Sequence, residues 1–340
     1  MQIFVLKFII IIESNMKVYI TRKIPDTGIE FLKSKGIETI VWPTRNPMSP
    51  EELNTAAASV DAMIIMSGDK IDAKFLQNNS HLKAISNYAV GFDNIDIAAA
   101  TKFGIPIGNT PDVLSEATAD IAFLLMLNVS RKAFYHHKRI LNRDWDTFQP
   151  TLNLGISLRD KTLGVFGLGR IGLEMARRCK YAYNMNIIYH NRSRNEEIEK
   201  ELDAKYVDFD TLLKESDVIS LHAALTEETK GRFNATAFSK MKKNAIFVNT
   251  ARGGMHDEKA LLAALENGEI WGAGLDVTNP EPMQADHPLL NMPNVCILPH
   301  IGSATQEARS AMSLRAAENV FAGLEGKILP FIVNKEVYGC

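Results

Sequence analysis

From residue 17 to 107 the chain alternates short apolar runs with amphipathic stretches. KVYI, TIVW, AMIIM and KAIS read as buried strands, and DTGIEFLKSK, SPEELNTAAA and DAKFLQN read as helices between them. Strand and helix in alternation imply a parallel sheet covered on both faces. PDVLSEATADIAFLLMLNVSRK then predicts one long helix, with Ser115 as its N-cap. Its apolar residues spread too far around the helix for a surface position, so the expectation is packing between domains or against another subunit. A second alternation runs from 162 to 298, with TLGVFG, NIIYH, VIS, AIFVNT, IWGAGLDV and VCILP as strands. SATQEARSAMSLRAAENVFAGLEG closes the pattern as an amphipathic helix, capped by Ser303 and packing back on the first domain. The pattern predicts two α/β domains with a cleft between them, each a doubly wound parallel sheet: 16–112 completed by 303–335, and 113–302.

Composition narrows the class more than it refines the fold. A length of 340 residues suits two domains, and a formal net charge of -2 gives no electrostatic case for nucleic acid or a membrane surface. Cys179, Cys296 and Cys340 are an odd number without CxxC spacing. Neither a disulfide framework nor a zinc site is supported, which fits a reducing, cytoplasmic compartment. Residues 3–12, IFVLKFIIII, are too few to span a bilayer and lack the flanks of a signal peptide. MKVYIT from Met16 reads as the first strand, so residues 1–15 are read as an extension or a mis-called start.

The sharpest local signal is Gly167-Leu168-Gly169-Arg170-Ile171-Gly172, with a strand running in and a helix running out. Gly167 permits the tight turn, Gly169 lets backbone approach a pyrophosphate, and Gly172 lets helix and strand pack closely. The helix N-terminus offers N–H groups to the anion, so the turn is read as dinucleotide-binding rather than as an ordinary glycine turn. About 20 residues further on, where an acid would accept from both ribose hydroxyls of NAD, stand Asn191, Arg192, Ser193 and Arg194. Two guanidiniums and a hydroxyl suit a 2′-phosphate, so NADP(H) is the expected cofactor and NAD(H) the alternative. The bland competing reading makes both arginines solvated charges at the start of a helix.

Three late strand ends carry reactive groups. Arg252 follows FVNTA, Asp276 and Glu281 lie in GLDVTNPEP, and His300 lies in CILPHIGSAT. Ligands of open α/β sheets bind beyond the carboxyl ends of the strands, so the three segments are expected to converge. Reduction of a 2-oxo acid needs a cation for the carboxylate and carbonyl (Arg252), a proton donor (His300) and a carboxylate that orients the imidazole (Glu281). Taken singly, each has a blander reading: a capping ion pair, a surface acid and a core histidine.

GLGRIG, VNTARGG, GLDVTNPEP and LPHIGSAT, in this order and spacing, resemble the D-isomer-specific 2-hydroxyacid dehydrogenases over about Met16 to Lys327. DVTNPEP followed by HPLL, with NRSR, is most similar to the glyoxylate/hydroxypyruvate reductase branch. The resemblance implies a Rossmann cofactor domain and a flavodoxin-like substrate domain. It places Arg252, Glu281 and His300 at the catalytic positions, and backbone N–H groups near Val90 and Gly91 on the substrate carboxylate. Ser67, Gly68 and Ser303 fall on the substrate side, and Thr250, Asp276, Ala224 and Gly302 on the cofactor side. It implies a homodimer acting on a small 2-oxo or 2-hydroxy acid. Two departures stand out: Ala224 replaces a common proline, and Asn184 a common glycine, where Asn tolerates a left-handed backbone. NAD-linked D-lactate or D-3-phosphoglycerate dehydrogenases remain alternatives, although about 40 residues after His300 leave no room for a regulatory domain. A corepressor-like nucleotide sensor also stays open, whereas Glu281 argues against the formate dehydrogenases, which pair the histidine with glutamine.

Overall fold

A computed structural model describes residues 16–339; the proposed extension at 1–15 and Cys340 lie outside the described residues. The chain divides into two compact units, one ending at Val113 and resumed from Gln306, the other spanning Leu114–Thr305.

The first unit contains β1 (Lys17–Ile20), α1 (Asp26–Ser34), β2 (Glu38–Val41), α2 (Pro50–Ala57), β3 (Ala62–Ile65), α3 (Ala73–Asn78), β4 (Ala84–Asn87), α4 (Ile97–Lys102) and β5 (Ile107–Gly108). The five strands are parallel in the order β2-β1-β3-β4-β5. Val18, Ile20, Met63, Ile64 and Ile85 are fully buried, as strands covered on both faces require. Helix α2 starts in a capping box: Ser49 accepts from Glu52 N–H while Glu52 accepts from Ser49 N–H.

The second unit contains α5 (Ser115–Arg131), α6 (Ala133–Leu141), β6 (Thr162–Phe166), α7 (Arg170–Tyr183), β7 (Asn186–His190), α8 (Glu196–Leu202), β8 (Lys205–Tyr206), α9 (Phe209–Glu215), β9 (Val218–Leu221), α10 (Ala235–Lys240), β10 (Ile246–Asn249), α11 (Glu258–Glu266), β11 (Gly272–Leu275) and β12 (Val295–Ile297). Its seven parallel strands run β12-β11-β10-β9-β6-β7-β8, so the winding reverses between β6 and β9. In the first unit the reversal lies between β1 and β3. Loops leaving the carboxyl ends at such points form the ligand-binding crevices of open α/β sheets. Helix α12 (Gln306–Leu324) belongs to the first unit and lies against α1, β3 and β4.

Two local expectations, both helix caps, need correction. Ser115 is the first helical residue of α5; Leu114 precedes it with no side-chain cap. Helix α12 begins at Gln306, so Ser303 is three residues short of its start. The hydrophobicity of α5 is largely absorbed within its own unit. Ala119, Ala122, Leu125, Met126 and Val129 are buried where the helix lies between α7 and strands β10 and β11. Asn184, by contrast, does take the left-handed backbone read for it, with φ 50° at the C-terminus of α7.

Candidate active site

Two of the cavities among the described residues open on the carboxyl rim of the seven-stranded sheet. The larger, about 540 Å³, sits at the switch point, between the turn after β6 and the loops after β7 and β9. Gly167 has φ +97°, and a Cβ there would meet the Ala223 backbone nitrogen at 2.4 Å. Only glycine satisfies both conditions. Leu168 follows into the turn, where its N–H donates to Asn191 Oδ1 at 2.6 Å. Gly169 differs from Gly167: a Cβ there would meet no protein atom within 4 Å. Nothing in the polypeptide demands that glycine, but a pyrophosphate approaching the backbone would. Gly169 also immediately precedes α7, which starts with Arg170, Ile171 and Gly172 and has no side-chain cap. That set fits an anionic dinucleotide at the helix N-terminus.

The predicted 2′-phosphate group does not stay together. Arg192 and Ser193 line the cavity with Asn191. Arg194 does not: its guanidinium makes a two-bonded ion pair with Glu199 one turn into α8, at 3.1 and 2.6 Å. Of the two arginines read as a clamp, one lines the cavity and the other is held by a carboxylate five residues on. Arg232, which the sequence reading missed, also lines this cavity, with its guanidinium over the Phe209 ring. It stands about 40 residues from Arg192 in the chain, so no local pattern could have flagged it.

Ala224 lines the same cavity. Its carbonyl accepts the Thr229 hydroxyl, which in turn accepts from Thr226 N–H. Side-chain hydrogen bonds thus hold the loop without the stiffness of a proline. Behind it, His222 contacts Ser220 Oγ at 2.8 Å and Thr250 Oγ1 at 3.5 Å. Burial pushes the His222 imidazole down to about 3, so it is a neutral packing element near neutral pH.

The second cavity, about 470 Å³, is lined by Asp276, Thr278, Glu281, Leu298 and His300 among others. His300 has φ +53°, an unusual backbone for a non-glycine residue. Buried Asp276 holds that turn: its carboxylate accepts Ile301 N–H at 2.8 Å and Gly302 N–H at 2.7 Å, and its carbonyl accepts His300 N–H at 2.9 Å. Burial pushes the Asp276 carboxyl above the usual carboxylate range, against those two N–H donors. Asp276 and Gly302 therefore support the His300 turn, and Asp276 also lines the cavity.

His300 Nδ1 lies 2.5 Å from Glu281 Oε1. Burial opposes ionisation of Glu281, but the hydrogen bond and charge of His300, Thr278 N–H and the charge of Arg252 outweigh it. The carboxyl is held below the usual range. An ionised carboxylate only accepts, so Nδ1 carries the proton of this bond and Nε2 faces outward. Arg252 stands on the turn after β10, whose shape is set by buried Asn249: it accepts Ala251 N–H and donates to the Arg252 carbonyl. Ser303 lies in the loop just beyond Gly302.

In the first unit, Ser67 and Gly68 form the turn after β3, fastened by Asp69, which accepts Met66 N–H and the Thr21 hydroxyl. Val90 and Gly91 follow β4. Their carbonyls accept from Asn109 and Asn87, each at 2.8 Å. Their N–H groups make no hydrogen bond among the described residues.

Residues 123–302 match the family model described as D-isomer specific 2-hydroxyacid dehydrogenase, NAD binding domain. The chain is 46% identical to a glyoxylate reductase of Thermococcus litoralis, over 94% of this chain and 97% of that one. A solved structure, the TT0316 protein of Thermus thermophilus, matches with a TM-score of 0.86 and 40% identity, covering 94% of this chain and all of the other. An NADPH-dependent glyoxylate/hydroxypyruvate reductase of Sinorhizobium meliloti, solved with NADP and malonate, matches with a TM-score of 0.81 and 31% identity. That match covers 94% of this chain and 97% of the other.

Proposed function

The chain belongs to the D-isomer-specific 2-hydroxyacid dehydrogenases, NAD(P)-dependent oxidoreductases, and from that premise we propose that it reduces glyoxylate to its achiral 2-hydroxy acid, or hydroxypyruvate to the D-2-hydroxy acid, with NADPH. Its glyoxylate reductase relatives support reduction of a glyoxylate-type substrate. The observation that carries the mechanism is the Glu281–His300 pair beside Arg252, held by Asp276.

Bound reduced nicotinamide supplies the hydride. The glycine turn Gly167–Gly172 would hold its pyrophosphate, and Arg192 with Ser193 its 2′-phosphate. Arg252 binds the substrate carboxylate and polarises the carbonyl. His300 gives the Nε2 proton to the developing alkoxide. Glu281 keeps Nδ1 protonated and stabilises the imidazolium that donates. In the first unit, the N–H groups of Val90 and Gly91 are donors for a carboxylate, and the Ser67–Gly68 turn shapes the substrate side.

Oxidation of NADPH and NADH, followed by absorbance with glyoxylate and with hydroxypyruvate, tests the reading. Turnover faster with NADPH is the expected result. A second reading, NADH as donor, is favoured by one observation: Arg194 is committed to Glu199. Preference for NADH would establish it and make Arg192 a surface charge.

The remaining parts of the proposal are a homodimer and a cytoplasmic location. Ile140, Leu141, Trp145, Phe148 and Leu154 are exposed on α6 and the segment after it, which supports a face for a second copy. Light scattering at the mass of a monomer would remove the dimer. Cys179 and Cys296 are free and buried, and no described helix is long and apolar enough to cross a membrane.

A further inference from the structure

The segment 279–287 carries Glu281, yet Glu281, Pro282 and Gln284 to Asp286 are exposed and contribute little to any core. Pro280 and Pro282 restrict the backbone on either side of the acid but donate no hydrogen bond. Something else must fix the ends of the segment if Glu281 is to meet His300 at 2.5 Å.

Both ends meet one carboxylate. Glu258 Oε2 accepts Asn279 N–H at 3.0 Å, and Glu258 Oε1 lies 3.4 Å from His287 Nε2. His287 Nδ1 accepts Leu289 N–H, which leaves Nε2 as the donor toward Glu258. The Glu258 side chain is only 10% exposed. An acid in the first turn of α11 would ordinarily be explained by the helix dipole. That explanation is insufficient here, because Asp257 already accepts the Lys259 and Ala260 N–H groups, while Glu258 reaches the loop.

A buried histidine extends the connection to the other catalytic segment. Asn249 Oδ1 accepts Ala251 N–H, so its amide nitrogen donates to Arg252 O and to His256 Nδ1, the latter at 3.1 Å. His256 therefore carries its proton on Nε2, which has no hydrogen-bond partner among the described residues and lies 4.0 Å from Glu258 Oε2. The Arg252 turn also packs directly on the other loop: a Cβ on Gly253 would lie 1.9 Å from Thr278 O.

We propose that Glu258 is a positioning residue, whose carboxylate clips the two ends of segment 279–287 and so sets Glu281 against His300. This rests on the roles proposed for Glu281 and His300. Its content is that the geometry of the pair depends on a side chain that touches neither.

Full-length Glu258→Ala, Glu258→Gln and His287→Ala proteins test it. Glu258→Ala is expected to lower kcat by about 10- to 100-fold, the scale of a small misplacement of a catalytic group. NADPH affinity, read by fluorescence titration, stays within about twofold of wild type because the glycine turn is untouched. Glu258→Gln keeps an acceptor for Asn279 N–H and recovers most of the loss; His287→Ala falls between. The NMR resonances of the His300 ring nitrogens, identified by their absence in His300→Ala, read the hydrogen bond to Glu281 without turnover. The Nδ1 resonance shifts in Glu258→Ala as its carboxylate partner leaves. Wild-type turnover and an unshifted Nδ1 resonance in Glu258→Ala would overturn the proposal. So would a Glu258→Gln protein as impaired as Glu258→Ala. A wild-type protein that turns over no 2-oxo acid, but whose Nδ1 resonance shifts in Glu258→Ala, would fail the functional reading and leave the positioning role standing.

Discussion

The two cavities on the seven-stranded sheet are built on opposite principles. The glycine-turn cavity is loosely held: Gly169 faces open space, α7 has no side-chain cap, and Arg192 is exposed. The His300 cavity is over-determined. His300 takes a left-handed backbone, Asp276 ties the turn with three hydrogen bonds, and Glu281 fixes the ring. An anion is recognised by whatever donors surround it, so tolerance costs little there. Proton transfer needs one nitrogen in one place, so strain is accepted where neighbouring groups hold it.

The comparison breaks most visibly at His300. His300→Ala is expected to lower kcat by about 10²- to 10⁴-fold, with NADPH affinity nearly unchanged, as steady-state rates and fluorescence titration would read. A rate near wild type would remove His300 from the chemistry and make the pinned turn purely structural.

Glu281→Gln is the next largest step, an expected loss of about 10- to 100-fold in kcat, because the amide no longer stabilises the imidazolium. The wild-type pH dependence carries a sign. The folded carboxyl lies below its ordinary value of 4.5, so the pair's stabilisation is complete above that value and is lost as pH falls through the lower folded one. Both side chains are 41% exposed, so solvent screening keeps this contribution small. The acid limb of the rate profile is therefore expected below pH 4.5, short of acid unfolding. An acid limb above that value would mean that Glu281 is not held ionised by its partners.

The two glycines sharpen the comparison within one turn. Gly167→Ala is expected to destabilise the fold by at least about 2 kcal/mol, from a backbone that alanine disfavours plus overpacking against Ala223. Gly169→Ala leaves thermal stability within about 0.5 kcal/mol of wild type and instead weakens NADPH binding roughly tenfold, one charge-assisted hydrogen bond's worth. Equal effects at the two positions would remove the argument that Gly169 exists for a ligand.

What the sequence made legible follows the same division. The glycine turn and the order of Arg252, Glu281 and His300 were readable because each sits at a strand end that periodicity marks. The two-residue strands β5 and β8 were not, since two residues carry no period. Ser115 and Ser303 were misplaced as caps because a serine near a helix start says nothing of the backbone just before it. The hold of the Asp276 carboxylate on the turn at Ile301 and Gly302 joins groups 25 and 26 residues apart, a long-range role with no local signature. Helix α5 marks a general limit: an all-round apolar helix announces burial without saying what buries it.

Arg192 and Arg194 show how finely that limit runs. They share a loop and a charge, yet one lines the cavity and the other meets a carboxylate that becomes its neighbour only once α8 has formed. Arg192→Ala is expected to raise the NADPH dissociation constant about 10- to 100-fold and the NADH constant less than twofold, the value of one guanidinium–phosphate contact. Arg194→Ala is expected to change either constant less than about threefold and to leave thermal stability near wild type, since a pair at the surface is worth little. Fluorescence titration of both variants with both cofactors decides the matter. A large NADPH-specific loss in Arg194→Ala would show that the ion pair with Glu199 opens for the ligand. In that case even this side chain's resting partner would misreport its role, and the open cavity would prove as specific as the pinned one.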